Sequence, residues 1–134
     1  MSFLLDTDTC SAHMKGHAQV SQRFLQYTGR LHISVIGLGE LYTWTSRANA
    51  PPIRLRKLLA LLKDVNVLEV TADGAQLFGE IRARLMDQGL PTPDLDLLHA
   101  ATALHHGLTM VTHNVADFAN SSLRRPLRTF GVVQ

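Results

Sequence analysis

The order of the apolar runs constrains this chain more than any other feature. "SFLLD" (2–6), "LHIS" (31–34), "VNVLEV" (65–70) and "LTMVT" (108–112) are short and aliphatic, with helix-length stretches between them. A brief continuous apolar run reads as a strand buried on both faces of a sheet. "TCSAHMKG" predicts a short helix ending at Gly16, and 17–28 a second. Residues 35–48 predict a third, despite Gly37 and Gly39. "APP" (50–52) interrupts, and a proline at a first helical position starts the helix 53–65. Helices at 73–88 and 94–107 close on Gly89 and Gly107, with "PTP" (91–93) between them. A last short strand is expected at 128–133. Strands alternating with helices require right-handed crossovers, hence an α/β fold with a mostly parallel sheet of four to five strands covered by helices. Such sheets bind ligands beyond the carboxyl ends of their strands. Asp6 stands at one such end and "THN" (112–114) at another.

A length of 134 residues suits one domain over 1–134, and 46% hydrophobic against 18% charged residues argues for a packed core rather than disorder. The net charge of +2 permits an acidic partner such as RNA without demanding one. Arginine outnumbers lysine, which suits bidentate phosphate contacts. The single cysteine, Cys10, excludes an internal disulfide and fits a reducing, cytoplasmic setting. No run of apolar residues is long enough to span a membrane, and the N-terminus lacks the pattern of a signal peptide.

The chain has only eleven acids. Asp64, Glu69, Asp73, Glu80 and Asp87 sit among polar neighbours and read as solvated. Glu40 differs: it is the only charge between Arg30 and Arg47, in the apolar "ISVIGLGELYTW". A buried unpaired carboxylate is costly, so Glu40 needs a metal or a cationic side chain; the plainer reading is a salt bridge to an arginine. Asp94 and Asp96 open the helix after "TP", where the dipole favours acids and where Asp94 or Thr92 would cap. Asp96 borders Ala100 and Ala103, small residues that allow close approach to a sheet. Asp94 points toward the same face, so the helical wheel leaves open which acid works. Asp117 follows the strand 108–112 and by itself reads equally as a turn residue. Taken together, these acids lie at strand ends or on apolar helices. Carboxylates converging on one point repel unless divalent cations neutralise them, and oxygen-only ligands select Mg²⁺ or Mn²⁺.

These residues resemble PIN-domain ribonucleases, and within them the small VapC-type toxins of bacterial toxin–antitoxin pairs. The resemblance spans essentially the whole chain. It rests on "FLLDTDT" (3–9), "ISVIGLGELY" (33–42), "DLLHAATALHHGLTMVTHN" (96–114) and "DF" (117–118). It implies a PIN-like three-layer sandwich and a metal-dependent endoribonuclease acting on tRNA, rRNA or mRNA. It also implies one or two Mg²⁺ or Mn²⁺ ions, a homodimer, and a cognate antitoxin. By this resemblance the first metal-binding acid is Asp6, the second Glu40 and the third Asp96. The fourth position falls either on Asp117 or on Asn114, which stands where many relatives carry an aspartate and would hold a water. Thr7, Ser34 and Thr112 match small polar positions that support the ligands, and Asp94 is grouped with them. Asp8 stands where Asn is usual, and His99 where Ile is usual.

Rival readings are weaker. An aspartate-nucleophile phosphatase would use Asp6 and Asp8, but Cys10 occupies the motif's fifth position and no lysine follows Lys63. Cys10 as a nucleophile lacks a phosphate loop and reads as a core residue. The helix carrying His99, His105 and His106 has no i, i+4 histidine pair for zinc; His99 and His106 share a face with Thr102 and read as solvated. His13 and His113 lie near the site in sequence, although each also suits a turn. A PIN-like module that binds RNA or protein without cutting is the remaining alternative. For RNA contacts the candidates are Arg54, Arg56 and Lys57 on the helix 53–65, His113, and Arg124 and Arg125 in the basic loop 121–128. That helix reads equally as core-facing or as a dimer or antitoxin groove.

Overall fold

The computed structural model describes residues 2–90 and 92–112, and the backbone of 127–128. The elements run β1 (Phe3–Leu5), α1 (Thr7–Met14), α2 (Ala18–Gln26), β2 (Leu31–Ser34), α3 (Val35–Ser46), α4 (Pro52–Leu61), β3 (Asn66–Leu68), α5 (Ala72–Asp87), α6 (Asp94–His106), β4 (Thr109–Val111) and β5 (Leu127–Arg128). The strands form one sheet in the order β3-β2-β1-β4-β5, and every described pairing is parallel. Phe3 lies opposite both Leu31 and Thr109, and Leu5 opposite Val111. The α/β sandwich expected from the alternating pattern is thus the observed fold.

The apolar run of β1 is continuous because both of its faces are covered. Alternate side chains of a strand point to opposite faces. Phe3 and Leu5 enter one core with Ile33, Val111, Cys10, Phe24, Leu41 and Leu58, drawn from α1 to α4. Leu4 enters the other with Met110, Ala100 and Ala103 from α6. The α5 helix packs outside α6 through Ile81, Leu85, Leu97 and Ala101. Alanines at 100 and 103 bring the α6 backbone close to the sheet, as their spacing predicts. α6 stops at Gly107, whose φ of 69° is the left-handed conformation that glycine adopts freely.

Several expectations need correction. The helix expected over 53–65 ends at Leu61, and only Leu58 and Leu61 are buried along it. Ile53, Leu55 and Leu59 are 43–48% exposed, with Leu55 and Leu59 on one flank of the buried face and Ile53 on the other. β3 is shorter than the expected 65–70 and lies at the sheet edge. β5 begins one residue early; the rest of the strand expected at 128–133 lies outside the described residues. The N-cap of α6 is Pro93, with no side-chain cap from Thr92 or Asp94.

His13 lies half-buried in the last turn of α1 rather than in a loop turn. Its ring stacks on Phe24, 3.9 Å between centroids and 6° from parallel, and its Nδ1 lies 3.0 Å from Ser21 Oγ. Burial holds its pKa below the ordinary 6.5, and the Asp64 charge offsets this only in part.

Two stability tests follow from this packing. Ala100→Leu adds three heavy atoms between α6 and β1 and should cost about 1–3 kcal/mol in urea unfolding; an unchanged midpoint would contradict the close approach. The unfolded chain protonates His13 more readily than the folded one, so its contribution is intact above about pH 6.5 and is lost as pH falls below it. The urea midpoint of His13→Gln should therefore depend less on pH between about 7.5 and 5.5 than that of the parent chain.

Candidate active site

Asp6 is the first residue beyond β1, and three features fix it. Its backbone N–H donates to Val111 O at 3.0 Å, tying it to the end of β4. Its Oδ1 accepts from Thr9 N at 2.8 Å, which makes it the N-cap of α1. Its Oδ2 accepts from Thr112 Oγ1 at 2.6 Å across the gap between the two strands. β1 and β4 are neighbours in space but belong to opposite halves of the chain, so this gap is the topological switch point, where open α/β sheets bind ligands.

Glu40 approaches from α3. That helix starts at Ser34, whose Oγ accepts from Gly37 N at 3.0 Å. Glu40 sits more than a turn inside, where backbone N–H groups are already used. Its partners are side chains: Oε1 accepts from Thr7 Oγ1 at 2.9 Å and lies 2.8 Å from His99 Nε2. Where the plainer reading offered an arginine, the described contacts are a threonine and a histidine.

His99 corrects the sequence reading. It is 2% exposed rather than solvated, and Thr102 is equally buried. Its Nδ1 lies 3.0 Å from Ser34 Oγ. A Cβ on Gly37 would stand 3.3 Å from His99 Cε1, so glycine there lets the α3 backbone lie against the ring. The wheel of α6 misled because this helix is flanked by the sheet, α5 and α3, and its middle has no solvated side. A signal was available, since His99 follows Asp96 by three residues and side chains so spaced share a face. His105 and His106 are exposed, as the sequence suggests for His106.

Asp96, half-buried in the first turn of α6, completes the group. Asp6, Thr7, Asp8, Glu40, Asp96 and His99 line one pocket of about 70 Å³. Its described lining holds four carboxylates and neither lysine nor arginine. Asp8 is exposed at the mouth. Among the described residues, no three Asp, Glu, His or Cys side chains already surround a single point closely enough to hold an ion.

Other candidates lie elsewhere. Asp94 is 64% exposed and pairs with Arg82 Nε of α5 at 3.0 Å, facing away from the acid pocket, so it does not support the site. Arg54 donates to Trp44 O at 3.0 Å and its guanidinium stands 5.1 Å from the Trp44 ring centroid, so it braces α3 against α4. Arg56 and Lys57 are exposed on α4 and do not line the pocket, and neither does His13. Asp117, Asn114, His113, Arg124 and Arg125 lie outside the described residues. Burial and then the Asp6 charge push the Cys10 thiol far up, which suits a core residue and not a nucleophile.

Comparison with known proteins agrees with this architecture. The PIN-domain family model matches residues 3–120. The tRNA(fMet)-specific endonuclease VapC of Shigella flexneri is 33% identical over 119 residues, 88% of this chain and 90% of the relative. Ribonuclease VapC2 of Haemophilus influenzae is 28% identical over the same shares. Among solved structures, DNA-bound VapBC from Salmonella typhimurium superposes with a TM-score of 0.91 at 30% identity, covering 98% of this chain and 99% of that one. VapBC-1 from nontypeable Haemophilus influenzae gives 0.83 at 25% identity, with 97% and 98% covered. A parallel sheet with an acid-lined switch point, and a match over nearly its whole length, show that the chain belongs to the PIN-domain family, in its VapC branch.

Proposed function

We propose that this protein is a metal-dependent endoribonuclease, a hydrolase of RNA phosphodiesters, and the toxin of a type II toxin–antitoxin system acting in the cytoplasm. The observation that carries the reading is the one pocket lined together by Asp6, Asp8, Glu40 and Asp96. The donors fit a hard divalent cation, Mg²⁺ or Mn²⁺: they are oxygens only, and the space admits a small ion and its water. Asp6, Glu40 and Asp96 would hold one or two ions, with Asp117 or Asn114 as the fourth position. The bound cation supplies charge stabilisation for the phosphodiester and activates a water.

The chain's own residues do the rest. Thr112 and the Thr9 N–H hold both Asp6 oxygens in fixed directions, so this ligand needs little reorganisation. Asp8 adds negative charge at the mouth, which favours a cation and requires the RNA backbone to arrive with one. The described lining has no lysine to steady a phosphorylaspartate, so the reading uses water rather than a covalent nucleophile from the protein.

The RNA class and the partner rest on relatives. The Shigella flexneri protein is a tRNA(fMet)-specific endonuclease, which makes tRNA the first substrate to try. Solved neighbours are VapBC complexes, which supports an antitoxin partner. The exposed Leu55 and Leu59, neighbours on one side of α4, support a contact with that antitoxin or with a second copy. Arg56 and Lys57, exposed on the same helix, would contact RNA together with His113, Arg124 and Arg125.

A second reading, a PIN-like binding module that does not cut, is favoured by one observation: the described acids do not yet enclose a common point. The deciding experiment is cleavage of tRNA and ribosomal RNA with Mn²⁺ or Mg²⁺, beside an EDTA control and Asp96→Asn. Cleavage should vanish with EDTA and fall in the variant by more than the roughly 10–100-fold typical of losing an outer contact. An inert parent chain that also binds no metal by calorimetry would overturn the nuclease reading in favour of the binding module.

A further inference from the structure

We propose that His99 is a positioning residue: with Ser34 behind it, its imidazole clamps one oxygen of Glu40 and so presents the other to the cation. The inference rests on the metal-dependent reading of the site. It starts at Ser34. That hydroxyl accepts from Gly37 N as the cap of α3 and keeps a proton that it can donate, while the ionised Glu40 carboxylate at the other end of the ring can only accept. His99 Nδ1 lies 3.0 Å from it and, in a neutral ring whose proton faces Glu40, accepts from it. The ring proton then belongs on Nε2, which points at Glu40 Oε1 from 2.8 Å and donates to it. Thr7 Oγ1 donates to the same oxygen at 2.9 Å. Both described bonds fall on Oε1, so the ligand role falls to Oε2.

The clamp is rigid at its base. The imidazole is 2% exposed, and the α3 backbone at Gly37 lies against its edge. Glu40 itself is 34% exposed and has a long stem, so without these donors it would lose substantial rotamer freedom on binding an ion. Holding the carboxylate in advance removes part of that cost. The bond also joins α6, which carries Asp96, to α3, which carries Glu40, so one ring links the two helices that bear these acids.

The test is Mn²⁺ titration by calorimetry on the parent chain, His99→Leu and His99→Gln, with thermal unfolding to establish that each is folded. His99→Leu should weaken Mn²⁺ binding about 10–100-fold. His99→Gln, whose amide still donates toward Glu40, should recover most of that loss, which a merely space-filling role would not produce. Unchanged affinity in folded His99→Leu, or no recovery with Gln, would overturn the clamp while leaving the metal reading intact. A parent chain that binds no Mn²⁺ would overturn both. Should the leucine variant not fold, ¹⁵N NMR of the parent imidazole decides. A proton on Nε2 supports the clamp, and a bare Nε2 overturns it.

Discussion

The carboxylate of Asp6 joins sheet, helix and site. One oxygen is bonded to the first turn of α1 and the other to Thr112 beyond β4. The arrangement exists because the chain builds β2 and β3 on one side of β1 and then crosses through α5 and α6 to place β4 on the other. The two strand ends separate in the sequence and meet in space. An N-cap is worth about 1 kcal/mol, and a hydrogen bond to a charged group about 1.5–3. Without Asp6, Thr112 and the Thr9 N–H would lose these partners in a buried setting. The neighbouring residue, Thr7, then reaches Glu40, so the second acid is placed relative to the first.

The centre of a parallel sheet demands apolar side chains, and this site demands charge. The boundary between the two is abrupt: Phe3, Leu4 and Leu5 are fully covered and the next residue is an acid. Three of the four acids use the same solution to the conflict. Asp6 is the cap of α1, Asp8 is in its first turn, and Asp96 is in the first turn of α6, where free N–H groups and the helix dipole favour negative charge. Glu40 has no such help, because it lies inside α3. Its stabilisation has to come from other elements, which explains why its described partners are side chains of α1 and α6 rather than backbone.

The same distinction explains what could be read from the sequence. The strands were legible because a strand covered on both faces leaves an unbroken apolar run, and the alternation of elements then fixed the parallel sheet. Asp6 and Glu40 stood out as charges in apolar surroundings. Asp96 and Asp94 were not separable by the wheel; resemblance to the family chose Asp96, and the structure shows Arg82 of α5 holding Asp94 outside. A helical wheel describes a helix and not its neighbours, which is also why His99 and Thr102 read as solvated. The α4 leucines misled in the opposite direction. Their spacing marks an apolar helix but does not say whether the chain itself covers every apolar side. The pairing of Glu40 with His99 joins residues 59 apart in sequence, and no local pattern encodes it.

α6 ties these threads together. Its Ala100 and Ala103 rest on the sheet, its Leu97 and Ala101 on α5, and its Asp96 and His99 face the acid pocket. With 3.6 residues per turn these sets occupy different sides of one rigid rod. The depth to which the alanines let that rod sink therefore sets the position of Asp96 and, through His99, the direction of Glu40. A larger side chain at the sheet would lift both together while leaving every charge in place. Small residues in the core thus act on the site without touching it. The acids supply the charge, but the distance between α6 and β1 determines how far apart their oxygens stand.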